Sequence, residues 1–167
     1  AGSIACAEAA MQELQRNPDQ FSPQLLATFE KIRGSSEELR KQDEFQIHIT
    51  GPWNGPVKVS DVTAHTFTLA TLEGHLEAGV IKFRICTKDD GKVLFEIESL
   101  ARSRDAVVDF FYDKLPIAKL AQTEMWCAFC KAFAKKAMLE DGRTDEVPEV
   151  EIITERRDED TGQWQKL

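Results

Sequence analysis

Residues 66–85, TFTLATLEGHLEAGVIKFRI, decide the fold of this chain. Apolar and polar residues alternate on both sides of a short polar turn. Phe67 and Leu69 face one way before the turn, and Phe83 and Ile85 face one way after it. A repeat of two is that of a β-strand with one buried and one solvated face. The stretch therefore predicts two paired strands at the centre of the protein.

Strand patterns continue on both sides of this pair. Residues 45–49 alternate in the same way, Val57 and Val59 follow, and residues 93–97 form a last alternating run. Gly- and Pro-rich residues 51–56 and the segment 88–91 have the composition of turns. Because these connections leave little room for crossover helices, we expect an antiparallel meander.

Helical patterns lie before this sheet. Apolar residues recur at helical spacing in residues 4–16. A second helix is predicted from Ser22, as its N-cap, to Gly34, with Pro23 in its first turn and an apolar stripe formed by Leu25, Leu26, Phe29 and Ile32. One or two further helical turns are expected within residues 37–42.

A long helix is predicted after the sheet, from about residue 105 to residue 138. Its apolar residues extend beyond a single stripe, which indicates burial on more than one side, and Pro116 is expected to kink or split it. A short strand is expected at 147–153. The charged tail, residues 155–167, forms either a last hairpin around Gly162 or a disordered end.

Length and composition indicate one domain. With 167 residues, 42% of them hydrophobic, and ten Phe, the chain can bury a substantial core. We assign residues 1–167 to this domain, with its core in 21–154, and interpret residues 1–3 as a cloning remnant that leaves open the removal of an upstream segment. The four cysteines do not resemble a secreted disulfide framework.

The charge disfavours several classes of partner. A formal net charge of -8 opposes binding to nucleic acid and to anionic membranes, since both need clustered Lys and Arg. The sequence has no apolar run of the roughly 20 residues that span a bilayer and no secretory leader pattern. We therefore expect a cytoplasmic protein with no membrane span.

His75 and Glu77, in the turn of the central pair, are the best candidates for acid–base chemistry. Imidazole titrates nearest neutral pH, and a nearby carboxylate can orient it. The alternative is that both residues only shape or solvate the turn. His48 and His65 are interpreted as surface residues.

Other motifs give no support for a metal or cofactor. The histidines lack metal-ligand spacing, and Cys127 and Cys130 form a Cys-x-x-Cys deep inside a helical run, where core packing is the favoured interpretation. Gly74 and Gly79 do not continue into a phosphate loop, and the sequence has no Gly-x-Ser-x-Gly elbow. We expect no metal and no cofactor.

Aromatic residues are concentrated where the sheet and the long helix would meet. They either fill the core or line an apolar cavity for a small molecule. The candidate ligand-binding residues are Trp53, Phe67, Phe83, Phe95 and Tyr112.

Two of these segments carry a resemblance. Residues 51–57, GPWNGPV, and residues 67–79, FTLATLEGHLEAG, resemble a small family of plant, bacterial and fungal proteins of unknown function. The similarity covers residues 45–136. That family looks like a branch of the helix-grip (SRPBCC, START-like) superfamily, which includes the pollen allergen Bet v 1, lipid-transfer START domains and aromatase/cyclases. The chain also looks like fungal tailoring proteins that close the pyrone ring in aurovertin-type polyketide pathways.

The resemblance implies an α+β fold in which N-terminal helices precede an antiparallel meander curved around a long C-terminal helix. The chain departs from the superfamily in beginning with helices and in having a late strand. A cone-shaped α+β fold is the alternative architecture.

Three functions follow from the resemblance and the pattern. The first is a cofactor-independent polyketide cyclase, with His75 as base and Glu77 as its orienter, acting on a hydrophobic polyketide in secondary metabolism. The second is a non-catalytic carrier of a hydrophobic small molecule. The third is an interaction module that forms a homodimer through its long helix.

Overall fold

The structure is a computed structural model, and it describes residues 3–35, 37–49, 54–75, 77–103, 116–143, 148–157 and 162–166. The elements follow one another as helix α1 (Ile4–Arg16), a short 3-10 helix (Pro18–Phe21), strands β1 (Ala27–Arg33), β2 (Glu44–Ile49), β3 (Gly55–Val62), β4 (Thr66–Thr71), β5 (Glu77–Thr87) and β6 (Val93–Ser103), helix α2 (Pro116–Glu140), and strands β7 (Glu155–Arg157) and β8 (Trp164–Lys166).

The six longer strands form one antiparallel sheet in the order β1-β2-β3-β4-β5-β6, so the meander predicted from the short connections is confirmed. In the central pair, Phe67 lies opposite Phe83 and Leu69 lies opposite Ile81. Both partners of each pair therefore face the same side of the sheet, as the alternation requires. The protein is an α+β fold with a long C-terminal helix.

Helix α1 begins and ends as its sequence predicts. The Ser3 hydroxyl accepts a hydrogen bond from the Ala5 amide at the start, and Asn17 follows the last helical residue, just before Pro18. The face that carries Ala7, Met11 and Leu14 is buried. This apolar stripe is what holds the helix against the rest of the core.

Helix α2 packs beside α1, and both contribute to the same core as the sheet. Phe129 lies 5.6 Å from Phe83 between ring centroids, and Phe133 stacks on Phe95 at 3.8 Å. The described part of α2 begins at Pro116, and proline is tolerated in the first turn of a helix. Residues 104–115 of the predicted long helix, and with them the predicted kink or split at Pro116, lie outside the described residues.

The predicted second helix is wrong, because the segment forms strand β1 instead. Leu25 is 91% exposed and Ile32 is 51% exposed, whereas Phe29 is 7% exposed, so the helical stripe does not face the core. Ser22 and Pro23 begin only a single turn, in which the Ser22 hydroxyl donates to the Ala27 carbonyl at 2.7 Å. Pairing along the whole of β2 overrides the local helical pattern.

Three smaller predictions for the chain ends and connections have different outcomes. The helical turns expected within 37–42 are wrong, because that segment is a bend and a turn. The late strand is wrong over residues 148–153, which have no regular structure. The hairpin in the tail is confirmed by the pairing of β7 with β8.

A buried ion pair stabilises the hairpin of β1 and β2. The Lys31 ammonium lies 3.0 Å from the Asp43 carboxylate, and the two side chains are only 16% and 7% exposed. Asp43 also accepts a hydrogen bond from the Arg40 amide at 3.1 Å. Gly34 packs directly on this carboxylate with φ of +118°, so it ends a strand rather than the predicted helix.

Candidate functional site

The turn between β4 and β5 is ordered by main-chain hydrogen bonds. The Leu72 amide donates to the Pro56 carbonyl at 2.9 Å, and the His75 amide donates to the Leu72 carbonyl at 3.1 Å. Gly74 has φ of +97°, which favours glycine at that position. These hydrogen bonds bring the turn against the beginning of β3.

His75 is half-buried against Gly55. A Cβ atom placed on Gly55 would lie 2.2 Å from His75 Cδ2 and 2.6 Å from Cγ, far inside van der Waals distance. The imidazole thus lies across bare backbone in β3. The sequence context predicts a turn residue at Gly55, whereas this glycine is a strand residue that makes room for the imidazole.

The other predicted site residues are distributed over several places. Glu77 begins β5, where its backbone pairs with Ser103. Phe67 and Phe83 are 2% and 1% exposed and stack on each other at 4.3 Å, so both rings form part of the core. Trp53 and Tyr112 lie outside the described residues.

Of the predicted ligand-binding residues that the structure describes, Phe95 borders an open space. A groove of about 1000 Å³ lies between strand β6, the C-terminal half of α2 and the tail. Phe95 and Ile97 line it from the strand, and Ala134 and Met138 line it from the helix. Binding sites for small molecules are typically about 300–1,000 Å³ and mostly apolar. The volume of this groove lies at the upper end of that range, and its floor is apolar, although eight charged residues also line it.

The tail forms the remaining wall of the groove. Val150, Ile153 and Trp164 line it, and the last two are 60% and 55% exposed. Sequence reasoning missed this wall. The only available signal was a tryptophan in an otherwise charged tail, and exposed large apolar side chains of this kind mark binding surfaces when they cluster.

The remaining histidines lie on the surface as predicted. His48 Nε2 is 3.2 Å from the Glu30 carboxylate, and His65 Nε2 is 2.5 Å from the Glu8 carboxylate. Both histidines are exposed. Among the described residues, no group of three or more His, Cys, Asp or Glu side chains is placed to share a metal ion.

The cysteines of the Cys-x-x-Cys lie half-buried on α2, and neither forms a disulfide. Burial raises the pKa of the Cys130 thiol to about 11, and the neighbouring Cys127 adds to this effect. A thiol with a raised pKa is a poor nucleophile near neutral pH, because the thiolate is the reactive form. Cys130 contributes to the lining of the groove in its protonated form.

Comparison with known proteins assigns a family. The chain belongs to the family described as a domain of unknown function, DUF1990, whose pattern matches residues 4–132. No curated protein matches the sequence, and no solved structure does. In the part of the chain that the structure describes, no helix is long and apolar enough to cross a membrane.

Proposed function

We propose that this DUF1990 protein binds a small hydrophobic molecule in the groove between β6, α2 and the tail, as a carrier of the helix-grip type. The observation that carries the proposal is the groove itself, which combines a size suited to a small ligand with an apolar floor. An antiparallel sheet with a long C-terminal helix against one face is compatible with the helix-grip architecture.

The apolar floor of the groove is held in place by contact with the core. Phe95 stacks on Phe133 at an interplanar angle of 11°, and Phe133 is only 1% exposed. The ring that borders the groove is therefore fixed from behind by a fully packed core residue. A preformed apolar surface of this kind binds a ligand without a large ordering cost.

The groove can be tested by filling it. Ala134 lines the groove, whereas its neighbour Lys135 does not. We expect Ala134→Phe to weaken binding of the neutral apolar dye Nile red at least about tenfold, equivalent to about 1.4 kcal/mol. Lys135→Phe adds the same ring outside the groove and is expected to leave binding unchanged.

Binding is measured by fluorescence titration, and urea denaturation verifies that both variants remain folded. Equal affinity of the wild type and a folded Ala134→Phe variant would place the dye elsewhere and contradict the proposal. Absence of any dye binding by the wild type would contradict it as well.

Acid–base ring closure of a polyketide at His75 is the second candidate. The observation in its favour is a half-buried imidazole held in a fixed place by the turn and by Gly55. A positioned imidazole can remove the proton of an enol oxygen that attacks an acyl carbon. His75 does not line the described part of the groove, so the two proposals concern different surfaces and are tested separately.

A further inference from the structure

We infer that the ligand of the groove is a hydrophobic cation, such as an alkyl amine or a quaternary ammonium compound. The inference rests on the proposed function, and it adds the sign of the ligand's charge. It follows from the charged residues and the aromatic ring that surround the apolar floor.

The carboxylates that can face the apolar floor of the groove lie on the tail. Five glutamates line the groove (Glu96, Glu98, Glu149, Glu151 and Glu155), together with three basic residues (Lys88, Lys92 and Arg143). Glu96 and Glu98 alternate along β6 with Phe95 and Ile97, so their side chains lie on the face of the sheet opposite the floor, and the other three glutamates belong to the tail. The protein as a whole has a formal net charge of -8. The electrostatic potential of the protein therefore favours a positively charged ligand.

Two of the three basic residues are already neutralised by neighbouring carboxylates. The Lys92 ammonium is 2.9 Å from the Asp90 carboxylate, and this hydrogen bond raises the pKa of Lys92. Arg143 Nε donates to the Asp141 carboxylate at 2.9 Å. An anionic head group would have to compete with these carboxylates.

Two glutamates of the tail lack such a partner. Glu96 is paired with Arg84 on the neighbouring strand, and Glu98 lies across from Lys82 in the sheet register. Glu149 lies close enough to Lys92 for the two charges to interact. No ion pair joins a described residue to Glu151 or Glu155. These two carboxylates remain available for a cationic group.

The exposed indole of Trp164 independently favours a cation. It lines the groove and is 55% exposed. The face of an indole attracts ammonium groups more strongly than other aromatic faces do, and aromatic rings are what proteins use to bind quaternary ammonium ligands. Apolar floor, carboxylates and indole together match a cation with an alkyl chain.

Three probes with the same decyl chain separate charge from hydrophobicity: decyltrimethylammonium, decanol and decyl sulfate. Each is titrated below its micelle concentration against the protein loaded with Nile red. We expect the ammonium compound to displace the dye at roughly three- to tenfold lower concentration than decanol, and the sulfate to be the weakest. The preference should shrink as salt is added.

Paired variants assign the preference to the groove. Glu151→Gln with Glu155→Gln removes two charges from the tail, and Glu37→Gln with Glu73→Gln removes two exposed charges elsewhere. We expect only the first pair to reduce the affinity for the ammonium compound, by about threefold, without changing that for decanol. Trp164→Leu is expected to reduce the ammonium affinity further.

The outcomes distinguish a failure of the inference about ligand charge from a failure of the proposed binding function. If decyl sulfate or decanol binds as tightly as decyltrimethylammonium, the ligand has no required positive charge and the inference is overturned, while the groove remains a binding site. If none of the three probes displaces the dye and the dye itself does not bind, the proposed function fails and the inference fails with it. An equal loss in both glutamine pairs would assign the effect to net charge and overturn the inference.

Discussion

The imidazole of His75 lies across the backbone of Gly55, in the gap where any other residue would place its Cβ atom. This packing joins the turn between β4 and β5 to the first residue of β3. It fixes the position of the one histidine that the sequence assigns to chemistry. Gly55 therefore matters for the geometry of the turn even though it bears no functional group.

Substitution of Gly55 by alanine should destabilise the protein. The new Cβ would lie 2.2 Å from His75 Cδ2 and 2.9 Å from His75 Cα, so the turn must shift. We expect Gly55→Ala to cost about 1–3 kcal/mol of unfolding free energy in urea denaturation. In a His75→Ala background the same change should cost less but not nothing, because the new methyl group still meets the backbone of residue 75. Additive costs in this double-mutant cycle would show that the ring contributes no strain.

The cyclase hypothesis predicts loss of ring closure when His75 is replaced by alanine. The base that takes the enol proton would be missing, while the fold is retained. Product formation from a pyrone-forming polyketide is measured in a reconstituted pathway. His48→Ala is the control, because His48 is exposed and lies on strand β2 rather than in the turn. Unchanged product yield in His75→Ala would remove His75 from any catalytic role.

The central sheet was predictable because its signal is local. Phe67 and Leu69, and Phe83 and Ile85, alternate within their own strands, and short turns leave few ways to connect them. For β1, the same kind of local signal predicts the wrong structure. Leu25 and Ile32 complete a helical repeat with Phe29, and only the pairing partner β2 decides against it.

The candidate site was less predictable, because it depends on the packing of segments that are distant in the sequence. His75 meets Gly55 from another strand, and Trp164 meets the groove from the far end of the chain. The spacing of apolar residues within a segment does not indicate which distant segments it will contact. Phe95, by contrast, was identified because it occupies an inward-facing position on its strand. The same reasoning also selected Phe67 and Phe83, which are core residues.

Removal of the buried carboxylate of Asp43 should be costly. Asp43→Ala would leave the Lys31 ammonium, 16% exposed, with the Ser35 carbonyl at 2.6 Å but without a counter-charge, and the Arg40 amide without its acceptor. An uncompensated buried charge typically costs about 3–5 kcal/mol. Glu44→Ala breaks an exposed pair with Arg33 on the same hairpin and should cost less than about 1 kcal/mol. Similar urea midpoints for the two variants would contradict this assignment.

Alkylation should reveal the protonated state of Cys130. Burial raises its pKa from an ordinary value of 9.0 to about 11. At pH 8 the thiolate is then roughly a hundredfold scarcer than in the unfolded chain, and reaction with iodoacetamide should slow by about that factor. Peptide-resolved mass spectrometry of native and urea-unfolded protein measures the ratio. A ratio below about threefold would show an exposed, ionisable thiol.

The same shift predicts how Cys130 affects stability at different pH values. Because folding raises the pKa of the thiol, the stabilising contribution is complete below about pH 9, the ordinary value, and is lost as the pH rises through about 11. We therefore expect the difference in urea midpoint between the wild type and Cys130→Ala to shrink between about pH 8 and about pH 10.5. Cys86→Ala serves as a matched control, since Cys86 is half-buried on β5 and does not line the groove. A difference that stays constant for Cys130→Ala over this range would mean that the thiol titrates alike in the folded and unfolded chains. Decyltrimethylammonium bound in the groove should also slow alkylation of Cys130 but not of Cys86, which connects this thiol to the ligand site.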